Sequence, residues 1–153
     1  MSEKRQEVRN LETIPVGSLG LIPLESCRSL GEKVDQYLVK WRTERESEHK
    51  DSLAFAGYQR DTYILDTKVP RFGSGEAKGV INESVRGTDL YLLVDVMNHS
   101  KTYSLCGHEN HMSPDDHYQD LKRIIAAVGG KARRITVIMT FLYESRQNKR
   151  TAR

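Results

Sequence analysis

Ile135-Thr136-Val137-Ile138-Met139, followed by Thr140-Phe141-Leu142-Tyr143-Glu144-Ser145-Arg146-Gln147-Asn148-Lys149-Arg150, is the stretch from which the fold reads. The first five residues form an apolar run, which predicts a buried strand. The loop after it holds Arg146, Gln147, Lys149, Arg150 and, slightly later, Arg153. Such a loop delivers cationic and amide donors to the carboxyl end of a sheet, where open α/β folds place their ligands. Planar forks and point charges together suit phosphate and a nucleobase edge. A solvated basic tail at a chain terminus has the same composition, and these residues alone leave both readings open.

Working outward, Leu90-Tyr91-Leu92-Leu93-Val94 is continuous rather than alternating, the pattern of a strand covered on both faces in a parallel sheet. Between it and the last strand stands a helix with both ends marked. Ser113 is its N-cap, Pro114 its first residue, and Asp115 and Asp116 lie at the positive end of its dipole. Tyr118, Leu121, Ile124, Ile125 and Val128 supply its buried face, and Gly129-Gly130 stops it.

Earlier in the chain, Leu19-Gly20-Leu21-Ile22-Pro23-Leu24 fits a short first strand that Pro23 ends or keeps near an edge. Ser26, or Ser29 with Glu32 three residues on, can cap the next helix. Leu30, Val34, Tyr37, Leu38 and Trp41 recur at helical spacing, and this stripe is predicted to be core. Residues 42–52 alternate in charge, so the helix frays there or extends into solvent, with His49 on the surface. Tyr63-Ile64-Leu65 and Thr67-Lys68-Val69-Pro70 form a second strand that feeds a turn at Phe72-Gly73-Ser74-Gly75-Glu76. Two glycines around one serine allow a sharp bend that presents Phe72 and Glu76, but spacing alone favours a hairpin turn with a packed Phe. Residues 77–81 and 88–96 bracket a further excursion at Asn82-Glu83-Ser84-Val85-Arg86-Gly87. Strand, helix, strand, helix, strand predicts an α/β fold: an open, mostly parallel sheet flanked by helices, with right-handed crossovers and a hairpin excursion.

Length and composition set bounds. The 153 residues suffice for one domain with its own core, and a mean hydropathy of -0.62 marks a soluble chain. Residues 1–12 are polar and read as a poorly fixed arm, leaving 13–153 as the domain. No run of 18 apolar residues exists, so no membrane helix is expected. The charged amino terminus has no apolar region behind it, and a cytoplasmic location is expected. Cys27 and Cys106 read as free thiols. A net charge of +3, with no aromatic residue interleaved among the basic ones after Tyr143, argues against nucleic acid. Cys106, His108, His111 and His117 could be drawn as a zinc site, but their spacing matches neither C-x-x-C nor H-x-x-x-H, and no metal site is assigned to them.

Three ordered blocks carry a resemblance. Ile135 to Arg150 resembles the nucleotide-binding segment of the ribose-phosphate pyrophosphokinases, which make phosphoribosyl pyrophosphate. Arg71-Phe72-Gly73-Ser74-Gly75-Glu76 and Ile81-Asn82-Glu83-Ser84-Val85-Arg86-Gly87-Thr88-Asp89 resemble the family's R-F-S-D-G-E and I-N-E-S-V-R-G-x-D motifs at about their usual spacing. His111-Met112-Ser113-Pro114-Asp115-Asp116-His117-Tyr118-Gln119-Asp120-Leu121 is similar to the helix opening of the long bacterial variants.

The resemblance implies a phosphoribosyltransferase-like fold and an ATP-dependent transferase: pyrophosphate passes from ATP to ribose 5-phosphate, with magnesium neutralising the phosphates. Positioning and charge stabilisation carry such a reaction. It further implies that Arg146 and Gln147 contact ATP, that Phe72 stacks on adenine, and that Glu76 accepts from a base or sugar donor. Phe72 and Glu76 would come from a neighbouring subunit, hence a homo-oligomer. Three positions depart from the family: Ser74 stands in place of an aspartate, Asn148 in place of an acidic residue and Thr140 in place of a proline. The family's D-L-H segment, its lysine-arginine flap and its D-D-x-x-D-T-G-T loop do not occur in the 153 residues. The expectation is therefore an amino-terminal, ATP-binding half that assigns no catalytic residue and meets ribose 5-phosphate only with a second half. The alternative is a non-catalytic homologue that binds a nucleotide or co-assembles with an active synthetase and regulates it.

Overall fold

The continuous apolar run around Leu92 needs cover on both faces, and it becomes the central strand. The computed structural model describes residues 15–47, 59–146 and 149; the arm at 1–12, His49 and Gln147 lie outside them. In chain order the elements are β1 (Leu19–Pro23), α1 (Arg28–Ser47), β2 (Thr67–Lys68), β3 (Val80–Ile81), β4 (Asp89–Val94), β5 (Thr102–Leu105), β6 (His108–His111), α2 (Pro114–Val128) and β7 (Arg134–Met139). β1, β4 and β7 form a parallel sheet in that order, with Ile22 opposite Leu92 and Leu92 opposite Val137. This is the expected α/β fold, a parallel sheet with flanking helices.

The outer edge of β1 is also used. Leu21 N–H donates to Tyr63 O and Leu65 N–H to Leu21 O, both at 2.8 Å, a parallel bridge that adds the 63–65 segment beside β1. From β1 the chain therefore runs through α1 to one side, and from β4 it runs through α2 to the other. Right-handed crossovers in opposite directions put the two helices on opposite faces. The alternation of side chains agrees: Ile22, Leu90, Leu92 and Val94 join Leu121, Ile124 and Val128 of α2 in one cluster, whereas Pro23 abuts Gly31 of α1. A fully buried Leu or Val contributes about 1.5–3 kcal/mol, so the cluster fixes both register and helix placement.

The apolar stripe of α1 is not core, a correction to the sequence reading. Leu30 is 41% exposed, Tyr37 59% and Trp41 57%, while Val34 and Leu38 are half-buried. The helix instead packs through Gly31 and Asp35. A Cβ at Gly31 would lie inside contact distance of the Pro23 ring, and buried Asp35 accepts from Tyr63 N–H at 2.6 Å and the Thr62 hydroxyl at 2.8 Å. The helix start also differs from expectation. A single 3-10 turn at Glu25–Cys27 leads straight into α1 without a side-chain cap, and Ser26 accepts from Asp95 N–H instead. Cys27, the last residue of this turn, is buried; burial, with the Asp95 charge, pushes its thiol up to about 11 and leaves it unreactive.

β7 differs too. It was expected to be buried, yet Val137 is 38% and Ile138 45% exposed, because no strand among the described residues pairs with its far edge. On α2, Ile125 is exposed and the buried positions include His117 and Asp120. The ends of α2 are as expected. Ser113 and Asp116 form a reciprocal capping box behind Pro114, and Gly129 closes the helix at φ 58°. Among the described residues no helix is long and apolar enough to cross a membrane.

Candidate functional site

The 72–76 turn is a closed loop on a short stem. Arg71 and Ala77 bridge across it, Phe72 N–H donates to Glu76 O at 2.7 Å, and Gly75 N–H to Phe72 O at 2.9 Å with Gly75 at φ 88°. The left-handed glycine lets the chain reverse without strain. Phe72 is 51% exposed and Glu76 is exposed, so the packed-Phe alternative does not hold and the turn presents both side chains. The Ser74 hydroxyl donates to Glu76 Oε2 at 3.0 Å and its oxygen accepts from Glu76 N–H at 3.4 Å. Ser74 therefore acts on the glutamate as a donor, which an ionised aspartate could not do.

The residue that holds the turn is Arg71, whose role no local pattern announced. Its side chain is 10% exposed and reaches Asp120 at 3.2 Å and Asp116 at 3.6 Å on α2. It also donates to Gly75 O at 3.5 Å and lies 4.4 Å over the ring of Tyr103. Tyr103 belongs to the β5–β6 hairpin. Cys106 and Gly107, at φ 51° and 79°, make the two-residue turn with both residues left-handed that suits a tight hairpin. The hairpin tip leans on the candidate turn, with the Cys106 thiol donating to Gly73 O at 3.5 Å.

The histidines are dispersed. His111 Nδ1 lies 3.0 Å from His99 O, His117 Nε2 lies 2.9 Å from Asn98 O, and His108 is exposed on β6. Among the described residues no three His, Cys, Asp or Glu side chains are placed to share a metal ion.

The same end of α2 holds the loop after β7. Tyr143 donates to Asp115 Oδ1 at 2.6 Å, and its ring meets Tyr118 edge-on at 5.5 Å. That hydrogen bond is the main cause of the raised Tyr143 phenol. Glu144 follows at φ 58°, a left-handed conformation for a non-glycine residue that persists where neighbours fix it, and Arg146 is exposed beyond it. Thus Asp115 holds one candidate segment, and Asp116 with Asp120 holds the other. The structure brings Phe72, Ser74 and Glu76 together; among the described residues no hydrogen bond or ion pair joins Arg146 to them.

The two aspartates facing Arg71 titrate in opposite directions. Burial raises Asp120, against the hydrogen bond from Arg123 and the Arg71 charge. Burial also works against the charge on Asp116, but two hydrogen bonds from Ser113 and the Arg71 and His117 charges outweigh it and hold that carboxyl below its usual range. A lowered folded-state pKa adds stability that is present above the ordinary aspartate value and lost as pH falls through the folded one. Ser113→Ala is expected to cost about 1 kcal/mol at neutral pH. It should cost less near pH 3, as urea unfolding at the two pH values would show.

Residues 19–153 match the family model described as the N-terminal domain of ribose phosphate pyrophosphokinase, a range that includes Phe72, Ser74, Glu76, Arg146 and Gln147. No curated protein matches the chain.

Proposed function

The chain belongs to the family of the N-terminal domain of ribose phosphate pyrophosphokinase, and from that premise we propose that it supplies the ATP-binding half of a ribose-phosphate diphosphokinase. The observation that carries this reading is Phe72 and Glu76 held exposed on a turn whose stem is locked to α2. An exposed aromatic ring on a fixed backbone is a stacking platform for a base, and a neighbouring carboxylate accepts from a base amino group or a ribose hydroxyl. Arg146 and Gln147 complete the site from the loop after β7, the arginine fork on phosphate and the amide on the base or ribose edge.

Phe72 and Glu76 serve the site of a neighbouring copy, so the working unit is a homo-oligomer in the cytoplasm. Apolar side chains left open on two surfaces support assembly: Leu30, Tyr37 and Trp41 on α1, and Val137, Ile138, Phe141 and Leu142 on and after β7. Magnesium enters with the nucleotide phosphates, whose charge it neutralises. Transfer of pyrophosphate to ribose 5-phosphate then requires a second domain with the family's acidic ribose-phosphate loop.

The Ser74 hydroxyl favours a second reading. It occupies one Glu76 oxygen, and it supplies no carboxylate to the site. This suits a non-catalytic homologue that binds a nucleotide or co-assembles with an active synthetase. Calorimetric titration of Mg-ATP and of ribose 5-phosphate into the purified chain tests whether it holds a nucleotide site at all. Saturable Mg-ATP binding is expected, weakened about tenfold or more by Arg146→Ala with Gln147→Ala, with no heat from ribose 5-phosphate. A folded chain that takes up no Mg-ATP would sink the ATP-site reading and leave co-assembly.

A further inference from the structure

Behind the turn, a cavity of about 400 Å³ opens at the carboxyl end of β1, walled by β1, β2, the start of β5 and α2. Phe72, Glu76 and Arg146 are not among its walls. Its place in the fold is informative. The connections from β1 and β4 leave in opposite directions, and open α/β sheets bind ligands in the crevice outside the strand ends at such a reversal.

The charges lining the cavity do not cancel. Its two acids are already occupied: Glu25 pairs with Lys101 at 3.0 Å, and Asp120 with Arg71 at 3.2 Å and Arg123 at 2.6 Å. Its other two cations, Arg28 and Lys68, make no ion pair or side-chain hydrogen bond among the described residues. Arg28 comes from the first turn of α1 and Lys68 from β2, so two separate elements bring uncompensated positive charge to one opening. The walls also include apolar side chains, the half-buried Val69 and Tyr103 with buried Ile22 and Leu24, beside polar Thr67, Thr102 and His117. A bare inorganic ion would leave that apolar lining uncovered, whereas an anion with an apolar body satisfies both parts. The volume is in the range that encloses a small organic ligand.

We propose that this cavity is a second binding site, for a small organic phosphate monoester with a planar, largely apolar body. Arg28 and Lys68 take the phosphate, the arginine as a fork and the lysine as a point charge. Val69, Leu24 and Tyr103 cover the body. Arg71 is both a wall of this cavity and the stem of the 72–76 turn, so an occupant stiffens the turn from behind.

The test is an amide NMR titration of the full chain with phenyl phosphate, run beside inorganic phosphate alone and phenol alone. Saturable shifts are expected at Arg28, Lys68, Val69 and Tyr103, with both controls weaker by about tenfold or more. Arg28→Gln with Lys68→Gln should weaken phenyl phosphate by about tenfold or more while the remaining spectrum stays that of the folded chain. Phe72→Ala should leave it unchanged, which separates this site from the nucleotide site. Shifts confined to other surfaces, or equal binding by the double variant, overturn the proposal. Inorganic phosphate binding as tightly as phenyl phosphate overturns the assignment of an organic ligand.

Discussion

Replacing Arg71 by alanine is expected to destabilise the chain by about 3 kcal/mol or more, the range for removing one partner of a buried ion pair, and to release the 72–76 turn. The size follows from what the guanidinium leaves behind. Asp120 is 8% exposed, already raised by burial, and would keep only Arg123 to offset its charge. Asp116 would lose the guanidinium charge that favours its ionised form. The stem would lose the group that ties it at once to α2, to Gly75 O and to Tyr103. Arg71→Lys should recover less than half of the loss, because a point charge cannot reach two carboxylates and lie flat on a ring. Urea unfolding measures the loss, and amide exchange at Phe72 and Gly75 reports the release. A loss under about 1 kcal/mol would place Arg71 among ordinary surface pairs and remove it from this account.

Gly79→Ala is expected to cost about 3 kcal/mol, at the upper end for overpacking, although the change is a single methyl group. A Cβ at Gly79 would fall well inside contact distance of the Arg123 carbonyl oxygen, 2.7 Å from its carbonyl carbon and 3.1 Å from Ile124 N. All three are backbone atoms of α2, so no rotamer change relieves the clash, and helix and β3 must separate. Separation moves Asp116 and Asp120 away from Arg71. The variant should therefore loosen the turn as well as lower stability, by the same urea and exchange measurements. Gly73→Ala is the control, since a Cβ there meets nothing within 4 Å. If the two substitutions cost the same, close approach at Gly79 is not what sets the position of α2.

These two residues also mark what the sequence could and could not tell. The ends of α2 were legible because Ser113, Pro114 and Gly129 act on backbone groups within one turn. β4 was legible because its unbroken apolar run has no other stable place than the middle of a sheet. Arg71 was visible only as part of a motif, because its partner Asp120 lies 49 residues away. The stripe on α1 misled for a related reason. Periodicity shows that Leu30, Tyr37 and Trp41 share a face, but which face is covered depends on Gly31 meeting Pro23 and Asp35 meeting Tyr63. The β5–β6 hairpin was hidden by strands of only four residues, the second wholly polar, and by a cysteine, rather than asparagine or aspartate, at the first position of its turn. Among the candidate ATP contacts, the motif pointed to Phe72, Ser74 and Glu76 as a group. The Ser74 hydrogen bond to Glu76 is set by how the turn closes, which no local pattern encodes.

Under the proposed function, Phe72 from one copy and Arg146 from another face one ATP. A mixing experiment tests it most directly, with Mg-ATP binding measured for Phe72→Ala, for Arg146→Ala, and for the two variants unfolded and refolded together in equal amounts. The wild-type chain should bind, and each variant alone should have no intact site. The mixture should regain about one quarter of the wild-type sites, the random share that receives both native residues in a symmetric assembly. A wild-type chain that binds Mg-ATP, beside a co-refolded mixture that regains none of it, would contradict a site shared between copies.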